Sequence, residues 1–362
     1  MTPDPNGVRI TVLAPAPLDA RTGGYEYDRQ LVRALQARGV GAALTALDST
    51  YPAPSPDART HAARLLASLP TDAVVIVDGL ALGAMPEEAA REAARLRLVA
   101  LVHHPLAEET GLAQDAARRL RDSEMRALES ARLVVVTSAA TARLLSSYRV
   151  PAHRIVVVEP GTHPAPLATG SDGAHGVELL CVATLIPRKG HDLLVRALAP
   201  LRHLQWRLTC LGSTDLHPDT TATVRATIEE LGLADRITLA GSVDGALVAE
   251  HYNHADLLVM PTYYEGYGMA VAEALARGLP VVSTSTGAIP GMVGAEAGIL
   301  VPAGDLDALT DALRAVVQDT ALRTRLRAGA QRARLRLPTW DDAASTLSFA
   351  LERLTPQRSL QT

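Results

Sequence analysis

Lysine is almost absent. Of 35 basic residues, only Lys189 is a lysine, and arginine supplies the rest. With the surplus of Ala and Leu, this usage fits a GC-rich bacterial genome that drifts from Lys to Arg wherever either serves. The one position that stays Lys then asks for a compact, strongly hydrated ammonium rather than a planar fork. Cysteine is nearly as scarce. Cys181 and Cys210 each fall inside an apolar strand-like run, which reads as two buried free thiols in a reducing compartment, the cytoplasm, and not as a disulfide framework. No apolar run reaches the ~20 residues of a transmembrane span. The first residues lack a basic and a long apolar region, so no signal peptide is expected. A field of one sign is missing too. The formal net charge is −4, and residues 1–167 carry 18 Lys/Arg against 18 Asp/Glu, which leaves no basic surface for nucleic acid or an anionic membrane. Arg118, Arg119 and Arg121 read as the solvated face of one helix.

What is present is alternation. A chain of 362 residues is too long for one ordinary core, and two domains are the natural expectation. Apolar, β-rich runs occur at 8–14, 73–77, 98–102, 133–137 and 155–158. A second set follows at 179–183, 207–211, 237–240, 257–260, 280–283 and 298–301, and helical patterns at 25–38, 192–198, 220–231 and 306–317 lie between. Strands that are apolar throughout, alternating with helices, predict an α/β protein with parallel sheets covered on both faces. The stretch 160–176 is rich in Pro, Gly, Ser and His without periodicity and reads as a linker. The expected organisation is a domain over 1–165, a second over 166–339, and a closing segment 340–362 that carries one more amphipathic helix over 340–354.

In open parallel sheets, ligands bind beyond the carboxyl ends of the strands, so those positions are the ones to read for chemistry. After the first run comes Arg21-Thr22-Gly23-Gly24-Tyr25, leading into a helix. The glycine pair either lets backbone approach a phosphate at a helix N-terminus or serves a loop needing positive φ. No G-x-G-x-x-G occurs there, which weighs against an NAD-linked oxidoreductase. Another run ends in Val102-His103-His104-Pro105. The histidines offer a polar wall for a ligand hydroxyl, an ordinary capped loop, or metal ligands, although no third ligand with convincing spacing accompanies them. His104 precedes a proline and is held extended, so the two rings are expected to diverge.

In the second half, Val182-Ala183-Thr184-Leu185-Ile186-Pro187-Arg188-Lys189-Gly190-His191 puts two adjacent cations, the sole lysine among them, at the mouth of a strand. Such a pair suits a pyrophosphate. Further on, Glu265-Gly266-Tyr267-Gly268-Met269 follows the run 257–260, and seven residues separate Glu265 from Glu273. The glycines let several backbone N–H groups point outward, and the spacing sets both carboxylates near one end of a helix, Glu273 on its exposed side. Paired acids also occur in glycosidases, but that reading leaves the glycines and the Arg-Lys pair unused. Asp305-Leu306-Asp307 resembles a metal-binding pair, yet it directly precedes a helix and is more simply its cap. No acid or histidine set at a strand end shows ligand spacing, so no metal and no cofactor is expected.

These residues resemble the retaining family-four glycosyltransferases, whose signature is an acid, seven residues and a second acid. Here Glu265 through Glu273-Ala274-Leu275-Ala276-Arg277-Gly278 carries it, with Leu279-Pro280-Val281-Val282 and the lead-in from Ala255-Asp256 to Pro261 also similar. The likeness covers most of 176–335 and is looser over 1–165, where it rests on Gly23-Gly24, His103, Ser138 and Pro160-Gly161. It implies the GT-B fold, two Rossmann-like parallel-sheet domains facing across a cleft. It also implies transfer of a hexosyl group, with retention and without metal, from a UDP- or GDP-linked sugar to a small-molecule, lipid or glycan acceptor. By that resemblance Glu265 and the amides of Gly266, Tyr267, Gly268 and Met269 hold the donor sugar and its phosphate, and Glu273 takes the ribose. Lys189 with Arg188 neutralises the diphosphate. Ser242 and Val243 meet the base, Gly23 and Gly24 close on the phosphate, and His103, or His104 in its place, meets a distal sugar hydroxyl. The chain departs from the family in carrying Thr184 where an Arg is usual and Arg188 where a Glu is, and in Gly291 after Ile289-Pro290. A sugar-nucleotide-binding module without turnover is the remaining alternative.

Overall fold

The computed structural model describes residues 9–354. The chain divides into two compact units. The first takes the chain through Gly161 together with the segment from Pro338 onward, and the second is Thr162–Leu337. Val8, the expected start of the first strand, and residues 355–362 of the closing segment lie outside the described residues.

The first unit is built on six strands, β1 (Arg9–Pro15), β2 (Gly41–Leu47), β3 (Val74–Asp78), β4 (Arg97–Val102), β5 (Leu133–Val136) and β6 (Ile155–Val157). They lie in the order β2-β1-β3-β4-β5-β6, every pair parallel. β3, β4 and β5 are buried along their whole length, as unbroken Val/Ile/Leu runs require when helices cover both faces. β2 has no counterpart among the sequence expectations. Gly-Ala-Ala-Leu-Thr-Ala-Leu contains one β-branched residue and is only partly buried at the sheet edge, so its own propensity is weak. Pairing with all seven residues of β1, from Arg9↔Gly41 to Pro15↔Leu47, makes it a strand.

The second unit repeats the plan with β7 (Val177–Val182), β8 (Trp206–Leu211), β9 (Ile237–Gly241), β10 (Leu257–Met260), β11 (Val281–Thr284) and β12 (Gly298–Val301). Their order is β12-β11-β10-β7-β8-β9, again all parallel. Trp206, Leu194, Leu198, Leu309 and Leu313 are fully buried on one face, and Leu258, Val271, Leu275 and Ile289 on the other. Each such side chain contributes roughly 1.5–3 kcal/mol relative to exposure. The helix Leu306–Gln318 is started by Asp305, whose carboxylate accepts from Ala308 N at 2.9 Å, so that acid is the helix cap. Cys181 and Cys210 are buried free thiols, in register across β7 and β8.

The last helix, Trp340–Glu352, packs on the first unit. Thr339 and Asp342 form a capping box at its start, which satisfies two orphan donors reciprocally. Trp340 meets Tyr27 edge-on at 5.7 Å. Gly161 lies so close beneath that a Cβ would fall 2.2 Å from Trp340 N, so only glycine fits there. Among the described residues, no helix is long and apolar enough to cross a membrane.

Candidate active site

Strand order picks out where a ligand can sit. In each sheet the connections run one way from a central strand and then the other, opening a crevice at the carboxyl ends of the two strands where the direction reverses. In the second unit those strands are β7 and β10, and in the first they are β1 and β3.

At the β7–β10 switch, Lys189 follows β7 and Glu265 follows β10. Lys189 Nζ is ion-paired with a Glu265 carboxylate oxygen, and the two side chains are only 14% and 13% exposed. A pair so enclosed is desolvated and interacts more strongly than a surface bridge. Three devices hold it. Gly190 takes φ +68°, and a Cβ there would lie 2.3 Å from Pro261 O, so the β7 loop can press against β10 only as glycine. Gly287 is tighter still, for its Cβ would reach 1.5 Å from Glu265 O. Arg188 supplies the third. Its guanidinium donates to Tyr264 O at 3.0 Å, and its own carbonyl accepts from Tyr263 N at 2.8 Å and Thr262 Oγ1 at 3.0 Å. The departure from the family pattern at this position thus leaves a cation that braces the Glu265 loop.

Gly268, at φ +99°, starts the helix Met269–Ala276, and no side chain caps it. The start of that helix lies against the Lys189-paired Glu265, since a Cβ at Gly268 would be 3.4 Å from Glu265 Cγ, and its uncapped amides favour anions. Gly266 and Tyr267 are buried and Met269 half-buried. Glu273, expected on the exposed side of this helix, is half-buried instead. Tyr252, itself fully buried, donates from its hydroxyl to the Glu273 carboxylate at 3.1 Å. Arg277 stacks over the Tyr252 ring at 4.6 Å and donates to Glu273 O. Burial together with the Glu273 carboxylate keeps the Tyr252 phenol well above its usual range, so it stays a donor. Thr184, half-buried, lies just past β7. Ser242 and Val243 follow β9, two strands away from β7. Ser242 is exposed, and Val243 packs against the apolar cluster that holds Tyr252.

In the first unit the glycine pair turns out not to need positive φ. Gly23 and Gly24 are the opening residues of the helix Gly23–Ala37. Gly24 is small because His103 lies against it, a Cβ there falling 3.3 Å from the imidazole. His103, just past β4, places Nε2 3.1 Å from Asp28 Oδ1 and 3.3 Å from Asp78 Oδ2. Burial disfavours its charge, but the hydrogen bonds and fields of the two acids outweigh that and hold the imidazolium up to about 10. Burial pushes the Asp28 carboxyl up to about 6, against the pull of His103. His104 is half-buried beside it.

The expectation that no acid and histidine set stands at a strand end is corrected here. The ligand atoms of Asp28, Asp78 and His103 lie within 4.8 Å of one another, as do those of Cys181, His191 and Cys210. Neither set shows in the sequence, because each is assembled from separate elements. Asp78 ends β3 just as His103 follows β4, and the strand-end rule applied to every run would have found it. Asp28 lies one helical turn beyond Gly24, facing the same ring.

Two doubly wound parallel-sheet units, the second bearing a cation and an acid at its switch point, define the GT-B class of folds. Residues 4–165 match the family described as Glycosyltransferase Family 4, and residues 176–319 match Glycosyl transferases group 1. The chain belongs to this glycosyltransferase family. A D-inositol 3-phosphate glycosyltransferase of Kineococcus radiotolerans is 34% identical over 58% of this chain and 54% of its own. An MMP alpha-(1->4)-mannosyltransferase of Mycolicibacterium hassiacum is 28% identical over 86% of this chain and 78% of its own. The match to the first of these spans about half of that relative's length. Among solved structures, a sucrose-phosphate synthase from Thermosynechococcus elongatus aligns with a TM-score of 0.80 at 22% identity, over 96% of this chain and 98% of that one. Anabaena HepE in complex with UDP-glucose aligns with a TM-score of 0.75 at 17% identity, over 95% and 99%. These two likenesses establish the fold.

Proposed function

We propose that this chain is a retaining glycosyltransferase that moves a hexosyl group from a nucleoside-diphosphate sugar to an acceptor hydroxyl without a divalent metal. The observation that carries the reading is the enclosed Lys189–Glu265 pair beside the uncapped start of the helix Met269–Ala276. A diphosphate placed there meets an ammonium and helix N–H groups, which stabilise the charge that develops as it leaves. Lys189 supplies that charge, and Arg188 serves by holding the loop. Glu265, on the same spot, accepts from sugar hydroxyls, and Glu273 with Tyr252 takes the ribose. By the resemblance, Gly23 and Gly24 are assigned to the phosphate and His103 to the sugar. Because Glu265 is engaged with Lys189, the base is the leaving group itself. The bond from the anomeric carbon to the diphosphate oxygen breaks, the bond to the acceptor oxygen forms on the same face, and the acceptor proton passes to the departing phosphate. Catalysis is then positioning plus electrostatics. The UDP-glucose bound by Anabaena HepE and the names of the two curated relatives support a sugar nucleotide as donor and a hydroxyl as acceptor.

The test is turnover of a panel of UDP-, GDP- and ADP-linked sugars with and without EDTA, beside a titration with NADH. One sugar nucleotide is expected to be consumed at a rate that EDTA leaves unchanged. Loss of activity in EDTA with recovery in Mg²⁺ or Mn²⁺ would refute metal independence. Tight NADH binding with no sugar-nucleotide turnover would refute the reading as a whole.

A further inference from the structure

Asp28 and Asp78 form a feature of the first unit that the transfer chemistry above leaves unused. Their side chains are 1% and 4% exposed, and two carboxylates this deep require a compensating cation. The groups that face them are few. Asp28 lies on the helix Gly23–Ala37 with Tyr25, Tyr27 and Arg29, Asp78 ends β3, and His103 comes from the end of β4. Arg29 is committed elsewhere, donating to Leu18 O, Ala20 O and Glu26. Tyr27 spends its hydroxyl on Val158 O and meets His103 only with its ring. Burial and the fields of Asp78 and Asp28 push the Tyr25 phenol up to about 12, so it brings no charge. Asp78 is fixed from behind, because its Oδ1 accepts from Leu80 N at 2.7 Å and leaves Oδ2 for the imidazole. The second oxygen of Asp28 has no partner among the described residues. His103 is thus the cation available to both acids.

We propose that Asp28 and Asp78 are positioning residues that hold His103 as a permanent imidazolium, with Nε2–H turned inward and Nδ1–H presented as a donor to a hydroxyl oxygen of the bound sugar. This rests on the reading that His103 meets the sugar. The inward nitrogen is accounted for by the two acids. Among the described residues no group bonds to Nδ1, and the ring keeps 21% of its side-chain surface open. Ionisation decides what the outward nitrogen can do. A neutral ring with Nε2–H turned inward would show the ligand an acceptor lone pair at Nδ1, whereas an imidazolium shows a second donor. The cluster's charge selects the ligand group as well. With both acids ionised it sums to −1, which repels a diphosphate, so a neutral hydroxyl is the fitting acceptor.

The test is nitrogen-detected NMR of the full chain with labelled histidine, the His103 signals being identified by their loss in His103→Gln. Both ring nitrogens are expected at imidazolium positions from pH 6 to 8.5 in the wild type. In Asp28→Asn and Asp78→Asn the midpoint should fall into that range, while the other histidines titrate as before. In turnover, wild-type kcat should stay flat over the same span. Asp78→Asn should acquire an alkaline limb and lose on the order of tenfold in kcat by pH 8.5, with affinity for bare nucleoside diphosphate unchanged. A wild-type His103 neutral at pH 7.5, or a midpoint unmoved in both variants, overturns the clamp. Normal kcat profiles in variants whose midpoint has fallen would overturn the positioning role and the sugar contact together, with the donor chemistry at Lys189 untouched. Saturable Mn²⁺ broadening of the His103 signals at micromolar metal would mark a cation site instead, and would equally overturn the proposal.

Discussion

Glu265 and Glu273 are the same residue type, seven residues apart in one motif, yet their surroundings assign them different work. Glu265 faces an ammonium, and Glu273 faces a buried phenol. Replacing Glu265 by Gln should lower kcat by on the order of 10²-fold, the scale of one preorganised polar contact, while free nucleoside diphosphate binds almost normally because Lys189 remains. Replacing Glu273 by Gln should weaken the bare diphosphate itself by roughly 1.5–3 kcal/mol, the worth of a charged hydrogen bond. Calorimetry with the diphosphate beside turnover of the intact donor separates the two, and the opposite pattern would exchange their roles. Both acids and Lys189 were legible in the sequence, because a strand end, a glycine-rich turn and a helix start adjoin each other along the chain. Asp28, Asp78 and Tyr252 were not. Their meaning depends on β1, β3 and β4 lying side by side and on the helix Gly245–His254 reaching the helix Met269–Ala276, and no local spacing encodes that.

Among the elements, the helix Gln114–Glu129 carries a hidden titration. Glu124 is 1% exposed and accepts from Leu106 N at 3.0 Å, and its other oxygen has no partner among the described residues. Burial pushes the carboxyl up to about 8 against the pull of that N–H. An acid raised in the fold above its unfolded value of 4.5 contributes most to stability below that value. The contribution is lost as pH climbs toward 8, at up to ~1.4 kcal/mol per pH unit. Glu124→Gln, which keeps the shape without the proton, should flatten the fall in melting temperature between pH 5 and 8 relative to the wild type. Parallel curves for the two proteins would show that Glu124 does not titrate in this window. Element identity was broadly readable where runs are apolar and β-branched, as in β3, β4 and β5. β2 escaped because its strand character comes from its neighbour, and the helix Gly23–Ala37 took in two glycines that propensity alone would leave outside.

At the scale of the molecule the two units differ in how the chain completes them. The second is one continuous stretch, Thr162–Leu337, with its own sheet and core, whereas the first needs the segment from Pro338 onward. Residues 162–337 produced alone should melt cooperatively and bind nucleoside diphosphate within about tenfold, or 1.4 kcal/mol, of the whole chain. Residues 1–161 alone should fail to melt cooperatively, for lack of the helix that sets Trp340 against Tyr27. A well-folded 1–161, or a 162–337 that stays unfolded, would contradict this account. That same returning helix also sets an order of events at the ribosome. Synthesis runs at about 5–20 residues per second, so the whole of 162–337 must emerge before Trp340 does. For roughly 10–35 s on that rate, each nascent copy exposes the Tyr27 edge and the Gly161 seat to solvent. Those are the seconds in which a chaperone, or a second nascent chain on the same message, has its opportunity to bind.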